Sequence, residues 1–281
     1  MEKGDLSMKQ QHAIKAKTFR CLHEQSSTFV LPNAWDAMSA KMFEAGGFQA
    51  IGTTSAGIAA SLGYPDGQQL PRAKLVEVVR NIAHSVAVPV SADIEAGYGR
   101  SVAEVVQTVK EVVAARAVGI NIEDGTGNPS KPVFSISEQT EKIAAIKASH
   151  TPLFVNARTD IYWLKIGDPL SRFQEAEKRA IAYQEAGADC LFIPGLTDRE
   201  EIQKMRAAIS IPINLLVDSE MPALTELSTI GIERLSCGSA PFRATATLLA
   251  AICEQIVHDE TFSHLTKDIL SYSSITKIMS Q

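Results

Sequence analysis

Eight times along this chain a short apolar run is followed by a segment long enough for a helix. The candidate strands cover residues 29–31, 50–53, 88–94, 119–122, 153–157, 190–193, 213–217 and 234–236. Consecutive strands separated by a helix-length crossover run parallel. Eight such steps in 281 residues, with no long linker, point to a (β/α)8 TIM barrel, a fold of ~250 residues in one domain. A doubly wound open sheet is the alternative the same alternation admits.

The way the strands begin supports the barrel. Four follow a glycine expected to close the preceding helix in the left-handed conformation: Gly47, Gly119, Gly187 and Gly231. Three others follow a proline, Pro89, Pro152 or Pro212, at the one place in a strand where proline loses no ladder bond. The two kinds alternate, as a repeated βαβα unit would. Apolar residues at three- and four-residue steps predict helices over 102–117 and 170–186, and Ser101 with Glu104 reads as a capping box. Residues 240–257 read as the eighth helix. The expected division is an N-terminal extension over 1–25, a barrel over 26–258 and a polar C-terminal extension over 259–281. The first of these is read as a helix covering the barrel's bottom or as a partner's surface.

Composition removes several classes of function. Twenty-seven basic against 32 acidic residues, without a basic run, give no footprint for nucleic acid. No apolar stretch approaches the ~18 residues of a membrane helix, and the polar first 25 residues lack the core of a secretory signal. The four cysteines form no C-x-x-C, and the six histidines are dispersed. A disulfide framework and a zinc cluster are therefore not expected, and a cytoplasmic protein is.

A parallel barrel carries its active site at the C-terminal ends of its strands. There the sequence places Asn33, Trp35 and Asp36; Thr53, Thr54 and Ser55; Asp93 and Glu95; Glu123 and Asp124; then Asn156, Arg158 and Asp160; Asp218; and Ser236 with Cys237. Four acids at two neighbouring strand ends, without histidine or thiolate, form an oxygen-only set suited to a hard ion such as Mg2+. The spacing alone also admits a solvated ion-pair rim. Asp93 and Glu95 share one side of the strand if the strand continues through both. Arg158 suits a carboxylate or phosphate, or else pairs structurally with Glu123 or Asp160. Thr53 to Ser55 form an anion cradle or a small-residue turn, and Trp35 a pocket wall or core. No lysine stands at a strand end to form a Schiff base, and no nucleophile elbow is present.

The segments LPNAWDAMSAKMFEAGG, GTTSAGIAASLGYPDG, PVSADIEAGYG, GINIEDG and NARTD occur in that order over roughly residues 20–255. In this the chain resembles the isocitrate lyase/phosphoenolpyruvate mutase superfamily. The resemblance implies a (β/α)8 barrel, Mg2+ or Mn2+ in its place, and chemistry at a C–C or P–C bond beside a 2-oxo acid through a pyruvate-type enolate. It puts the metal-site acids on Asp93, Glu95 and Glu123, the last through water. It puts Asp66 near the metal shell, Arg158 on the substrate, Trp35 on the pocket wall and Thr53, Thr54 and Ser55 on the anion. Asn156, beside Arg158, joins the substrate-binding set. Members tend to swap their eighth helix, so a homodimer or homotetramer is implied, with a small anionic substrate.

The chain also departs from the pattern. Glu95 stands where aspartate is usual, and the anion turn reads TTS without its glycine. The loop that carries the catalytic cysteine in isocitrate and methylisocitrate lyases reads GTGNPSKPVFS over 125–135, with neither cysteine nor histidine. Lys131 falls near the cysteine's place, and with Arg158 and Glu123 completes the expected catalytic set. The loop is read as a moving lid or as an ordinary ordered loop. The expected activity is a Mg2+-dependent lyase or decarboxylase acting on a small 2-oxo or 2-hydroxy dicarboxylate, oxaloacetate-like acids first. The alternatives are a P–C bond enzyme acting on phosphonopyruvate or a relative, and a barrel that binds a 2-oxo acid without turnover.

Overall fold

The structure, a computed structural model, describes residues 7–149 and 152–280; residues 1–6 of the expected N-terminal extension lie outside them. The chain opens with α1 (Met8–Leu22), β1 (Phe29–Leu31), β2 (Asn33–Ala34), α2 (Ala37–Ala45), β3 (Ile51–Thr53), α3 (Ser55–Ser61), α4 (Arg72–Ser85), β4 (Val90–Asp93) and α5 (Val102–Ala114). It continues through β5 (Gly119–Glu123), β6 (Gly125–Asn128), β7 (Lys131–Val133), α6 (Ile136–Ala148), β8 (Phe154–Arg158), α7 (Pro169–Glu185), β9 (Cys190–Phe192) and α8 (Arg199–Ala208). It ends with β10 (Ile213–Leu216), α9 (Leu224–Ile230), β11 (Arg234–Ser236), α10 (Ala240–Val257), α11 (Ser263–Thr266) and α12 (Tyr272–Met279).

Nine parallel strand segments follow one another in the order β1, β11, β10, β9, β8, β5, β4, β3, β2. The two ends of that series are one strand in two pieces. Pro32, which has no N–H to give, separates β1 on β11 from β2 on β3. Its carbonyl still accepts from the Gly52 N–H at 2.8 Å, so the ring closes around the break. Eight barrel positions result, and the open-sheet alternative is excluded.

The alternation of side chains along the strands builds the layers. Ile120 and Ile122 of β5 and Val155 of β8 face outward into an apolar shell with Val105, Val109 and Val112 of α5. The residues between them face inward in register, Gly119 with Phe154, Asn121 with Asn156 and Glu123 with Arg158. The barrel interior thus runs from an apolar bottom through an amide layer to a charged top. Phe19 and Leu22 of α1 close the bottom against Leu31, Val118 and Phe154.

One glycine differs from its expected role. Gly47, Gly187 and Gly231 do adopt positive φ behind their helices. Gly119 instead lies inside β5, where a Cβ would stand 2.9 Å from the Phe19 ring and 3.0 Å from Ser91 Oγ. The left-handed turn after α5 falls to Arg116, at φ +74°. Gly119 is small because α1 needs its space.

The predicted capping box on Ser101 and Glu104 is present. The eighth helix, α10, buries none of its 18 residues; Leu248, Leu249, Ile256 and Val257 are exposed. α12 turns back onto α2. Among the described residues no helix is long and apolar enough to cross a membrane.

Candidate active site

The upper layer forms a cleft in two adjoining lobes, with Ser55, Asp66, Arg158 and Trp163 bordering both. Asp93 ends β4 at the floor of the first lobe. The Ser55 N–H and hydroxyl both donate to its Oδ2, at 3.2 and 2.9 Å, and its own N–H donates to Thr53 Oγ1 at 2.8 Å. Thr54 caps α3 through its hydroxyl and lines the same lobe. The Thr53–Ser55 turn therefore acts as a support for Asp93 in this structure, and Thr53 itself is buried beneath the cleft.

Glu95 does not continue the strand. β4 stops at Asp93, and Glu95 takes φ +49°, an uncommon conformation for a residue with a Cβ. The turn aims its carboxylate at the second lobe. There the Gln68 N–H donates to Oε2 at 2.6 Å and the Tyr98 hydroxyl donates to Oε1. Tyr98 N–H in turn donates to Gln68 Oε1 at 2.6 Å, so the loops carrying Asp66 and Glu95 clasp each other. The strand-periodicity expectation for Glu95 is corrected, although the side chain still lines the second lobe beside Glu123.

Arg158 and Glu123 meet across paired strands, Nη1 to Oε2 at 2.9 Å, while Arg158 Nε donates to Asp160 Oδ1 at 2.6 Å. One guanidinium faces two carboxylates. Burial, opposed by Arg158 and reinforced by Asp160 and Asp93, holds the Glu123 carboxyl well above its ordinary range. Burial also raises Asp66 and Asp160. Glu95 is pushed up to about 7 by burial first and by Asp93 and Asp66 as well, against the hydrogen bond from Tyr98. The rim holds more negative charge than its one cation balances.

Other predicted residues are not gathered here. Asp124 is fully buried, accepting from Arg179 Nη1 at 2.9 Å, the Tyr183 hydroxyl at 2.7 Å and the Asp160 N–H at 2.8 Å. It ties the scaffold together; Asp66 and Asp160 take its expected place at the mouth. Lys131 stands on the β6–β7 hairpin, whose register turns it outward to the exposed Glu138 at the start of α6, 2.7 Å away. It borders neither lobe. Asn156 lies one layer down, fully buried, donating to Asn121 Oδ1 at 2.7 Å. Trp35 packs edge-on against Phe242 of α10, with ring centroids 5.4 Å apart, and the tryptophan bordering the cleft is Trp163.

Sequence reasoning missed Trp163, Gln68, Tyr98 and Asn121; the strand end at Phe192 and Pro194 also borders the cleft. Trp163 stands three residues after the ARTD segment and could have been found by carrying the strand end a few residues further. Gln68 and Tyr98, at φ +58° and +52°, depend on left-handed turns that no periodicity announces. Among the described residues, no three acidic, histidine or cysteine side chains converge into a preformed metal cage.

Comparison with known proteins places this geometry. The family model for phosphoenolpyruvate phosphomutase matches residues 19–257. An uncharacterized protein of Mycobacterium tuberculosis is 36% identical over 268 residues, covering 92% of this chain and 98% of that one. The 2,3-dimethylmalate lyase of Eubacterium barkeri is 30% identical over 278 residues, covering 94% and 93%. The crystal structure of phosphonopyruvate hydrolase in complex with oxalate and Mg2+ superposes with a TM-score of 0.83 at 26% identity, covering 95% of each chain.

Proposed function

This chain belongs to the phosphoenolpyruvate mutase family and is an enzyme of the lyase kind, and from that premise we propose that it cleaves a carbon–carbon bond of a small 2-oxo or 2-hydroxy dicarboxylate through a pyruvate-type enolate. The observation that carries the reading is the charge imbalance of the rim. Asp66, Asp93, Glu95, Glu123 and Asp160 border the two lobes with Arg158 the single cation among the lining residues, and burial raises Asp66, Glu95, Glu123 and Asp160. A buried site of that kind is completed by a cation and an anionic ligand together.

Mg2+, or Mn2+ in its place, fits this donor set. The side chains offer carboxylate oxygen without histidine or thiolate, and Mg2+ keeps several waters and takes only one or two carboxylates directly. The absence of a preformed cage is compatible with that habit. Asp93 would hold the ion, with Glu95 and Glu123 reached directly or through water. When bound, the ion supplies positive charge where the enolate oxygen develops.

The chain's own groups do the rest. Arg158 binds the substrate carboxylate through Nη2, since Nε and Nη1 are engaged by Asp160 and Glu123. Ser55 orients Asp93 with two donors. Glu123 lines the second lobe, steadies the Arg158 guanidinium through its ion pair and would reach the ion through water. Trp163 and Phe192 wall the first lobe and exclude water from one side. The 125–135 hairpin brings neither cysteine nor histidine over the cleft, and Lys131 points away. A carboxylate leaving as carbon dioxide needs no proton as it departs, so decarboxylation of an oxaloacetate-like acid comes first among the possible cleavages.

The reading includes a cytoplasmic homodimer or homotetramer. Its support is the apolar row Leu248, Leu249, Ile256 and Val257 on α10, exposed in the single chain, and four free thiols. The test of the activity is a panel of oxaloacetate, 2,3-dimethylmalate, methylisocitrate and phosphonopyruvate, assayed with Mg2+ and with EDTA for release of pyruvate and phosphate. Metal-dependent cleavage of a carboxylic acid on the panel is expected. Phosphate release from phosphonopyruvate alone would assign P–C chemistry. No turnover together with no Mg2+-dependent oxalate binding would sink the reading.

A further inference from the structure

One charged side chain lies inside the barrel itself, and the chemistry above does not use it. Arg234, on β11, is fully buried directly beneath the cleft. Among the described residues no carboxylate is in ion-pair contact with it. Nε donates to Ser236 Oγ at 3.0 Å, Nη2 donates to Asn121 Oδ1 at a longer 3.4 Å, and Nη1 has no hydrogen-bond partner among the described residues. Burial pulls the guanidinium down to about 10, so it remains charged at neutral pH. The charge is felt on both sides. Asp93 stabilises it from above, and below it His23 is held neutral, pushed down to about 3 by burial and then by Arg234.

Both residues that Arg234 holds line the cleft. Ser236 accepts from Arg234 and its hydroxyl donates to Asn214 Oδ1 at 3.0 Å, so its orientation is set from below. Asn121 is more informative. Its Oδ1 faces two donors, Arg234 Nη2 and Asn156 Nδ2. An amide end that meets two donors is the oxygen. The other end, Nδ2, is therefore the one turned to the cleft wall, where it presents N–H groups to a ligand. Arg234 can only donate, whereas Asn156 is an amide that can turn as well, so a neutral residue at 234 would let the Asn121 and Asn156 amides turn over together and present an oxygen instead.

We propose that Arg234 is a positioning residue that tunes the cleft for a dianionic, enolate-like ligand: it fixes the Asn121 amide with its N–H groups toward the ligand and sets a positive charge under the floor. The inference rests on the enolate-site reading above. A buried charge without a counter-ion is unfavourable for folding, and it is offset only when negative charge gathers over it. Asp93 provides part of that charge, and the ligand provides more.

The experiment compares Mg2+-dependent binding of oxalate, a dianion, and oxamate, a monoanion of nearly the same shape, by calorimetry. Wild type, Arg234→Met, Arg234→Gln and Arg234→Lys are measured, with thermal midpoints as a check on folding. Arg234→Met and Arg234→Gln are expected to weaken oxalate about tenfold or more and oxamate no more than about threefold, and Arg234→Lys to recover most of the oxalate loss. Arg234→Gln keeps a donor for Ser236, so it carries the comparison where the methionine variant does not fold. A purely structural role would weaken both ligands alike, and that outcome, or an unchanged oxalate affinity, overturns the proposal. Wild-type protein that binds neither ligand overturns the enolate-site reading itself and this inference with it.

Discussion

Two arginines meet the carboxylates that leave β5 and β8, and they differ in how their charge is matched. Arg179 lies in a closed account: Asp124, Glu175, the Phe134 carbonyl and the Tyr183 hydroxyl surround it, and Asp124 is wholly buried. Arg158 is shared between Glu123 and Asp160, with Asp66, Asp93 and Glu95 bordering the same two lobes, and its side chain remains 17% exposed to the cleft. Glu123 and Asp124 are adjacent in the sequence and have opposite roles. Balanced charge builds scaffold here; unbalanced charge facing a cleft marks the site.

The comparison can be broken at either arginine's partners. Asp93→Ala removes the acid best placed for the ion, and Mg2+-dependent turnover should fall by about 10³-fold or more; steady-state rates showing full activity would refute the metal assignment. Arg179→Met leaves Asp124 buried and unpaired, and should lower unfolding stability by about 3–5 kcal/mol. KM of the folded fraction should stay within about twofold, and a large KM change would show that the two regions are not separable.

Glu95 supplies a pH test in metal-free protein. Its carboxyl releases its proton near 7 in the folded chain, against 4.5 ordinarily. The folded state thus binds the extra proton across that window. Stability from this group is present below about 4.5, falls as pH rises, and is lost above about 7. The swing is about 3 kcal/mol. Glu95→Gln should flatten that part of the pH dependence in denaturant titrations, and an unaltered slope would place the raised group elsewhere. The smallest effect is expected at Lys131. Its pair with Glu138 is exposed to solvent, where such pairs contribute little. Lys131→Ala should leave kcat/KM within about threefold, and a larger loss would bring the hairpin back into the mechanism.

The eight barrel strands were legible because strand periodicity and crossover length are local properties. Residues 29–31 and 234–236 agree to the residue. The split of the first strand at Pro32 and the β6–β7 hairpin were not legible: both depend on which neighbour offers hydrogen bonds. At the site, Asp93, Glu123 and Arg158 could be read because they stand at strand ends that must point to the barrel mouth. Lys131, Trp35 and Asn156 were misplaced because position after a strand fixes neither the turn nor the layer. Lys131 follows a hairpin register, Trp35 a neighbouring helix, and Asn156 the layer below the mouth.

By itself the sequence determined the barrel, the ring of acids near one arginine, and the kinship with a family of lyases and mutases. These follow from periodicity and from the order of motifs along the chain. Only the tertiary structure decided which acids share Arg158, that Asp124 belongs to Arg179, and that Arg234 lies unpaired under the floor. Hydrogen-bond partners and desolvation depend on residues distant in the chain, and those terms separate a carboxylate that faces the cleft from one that braces the scaffold.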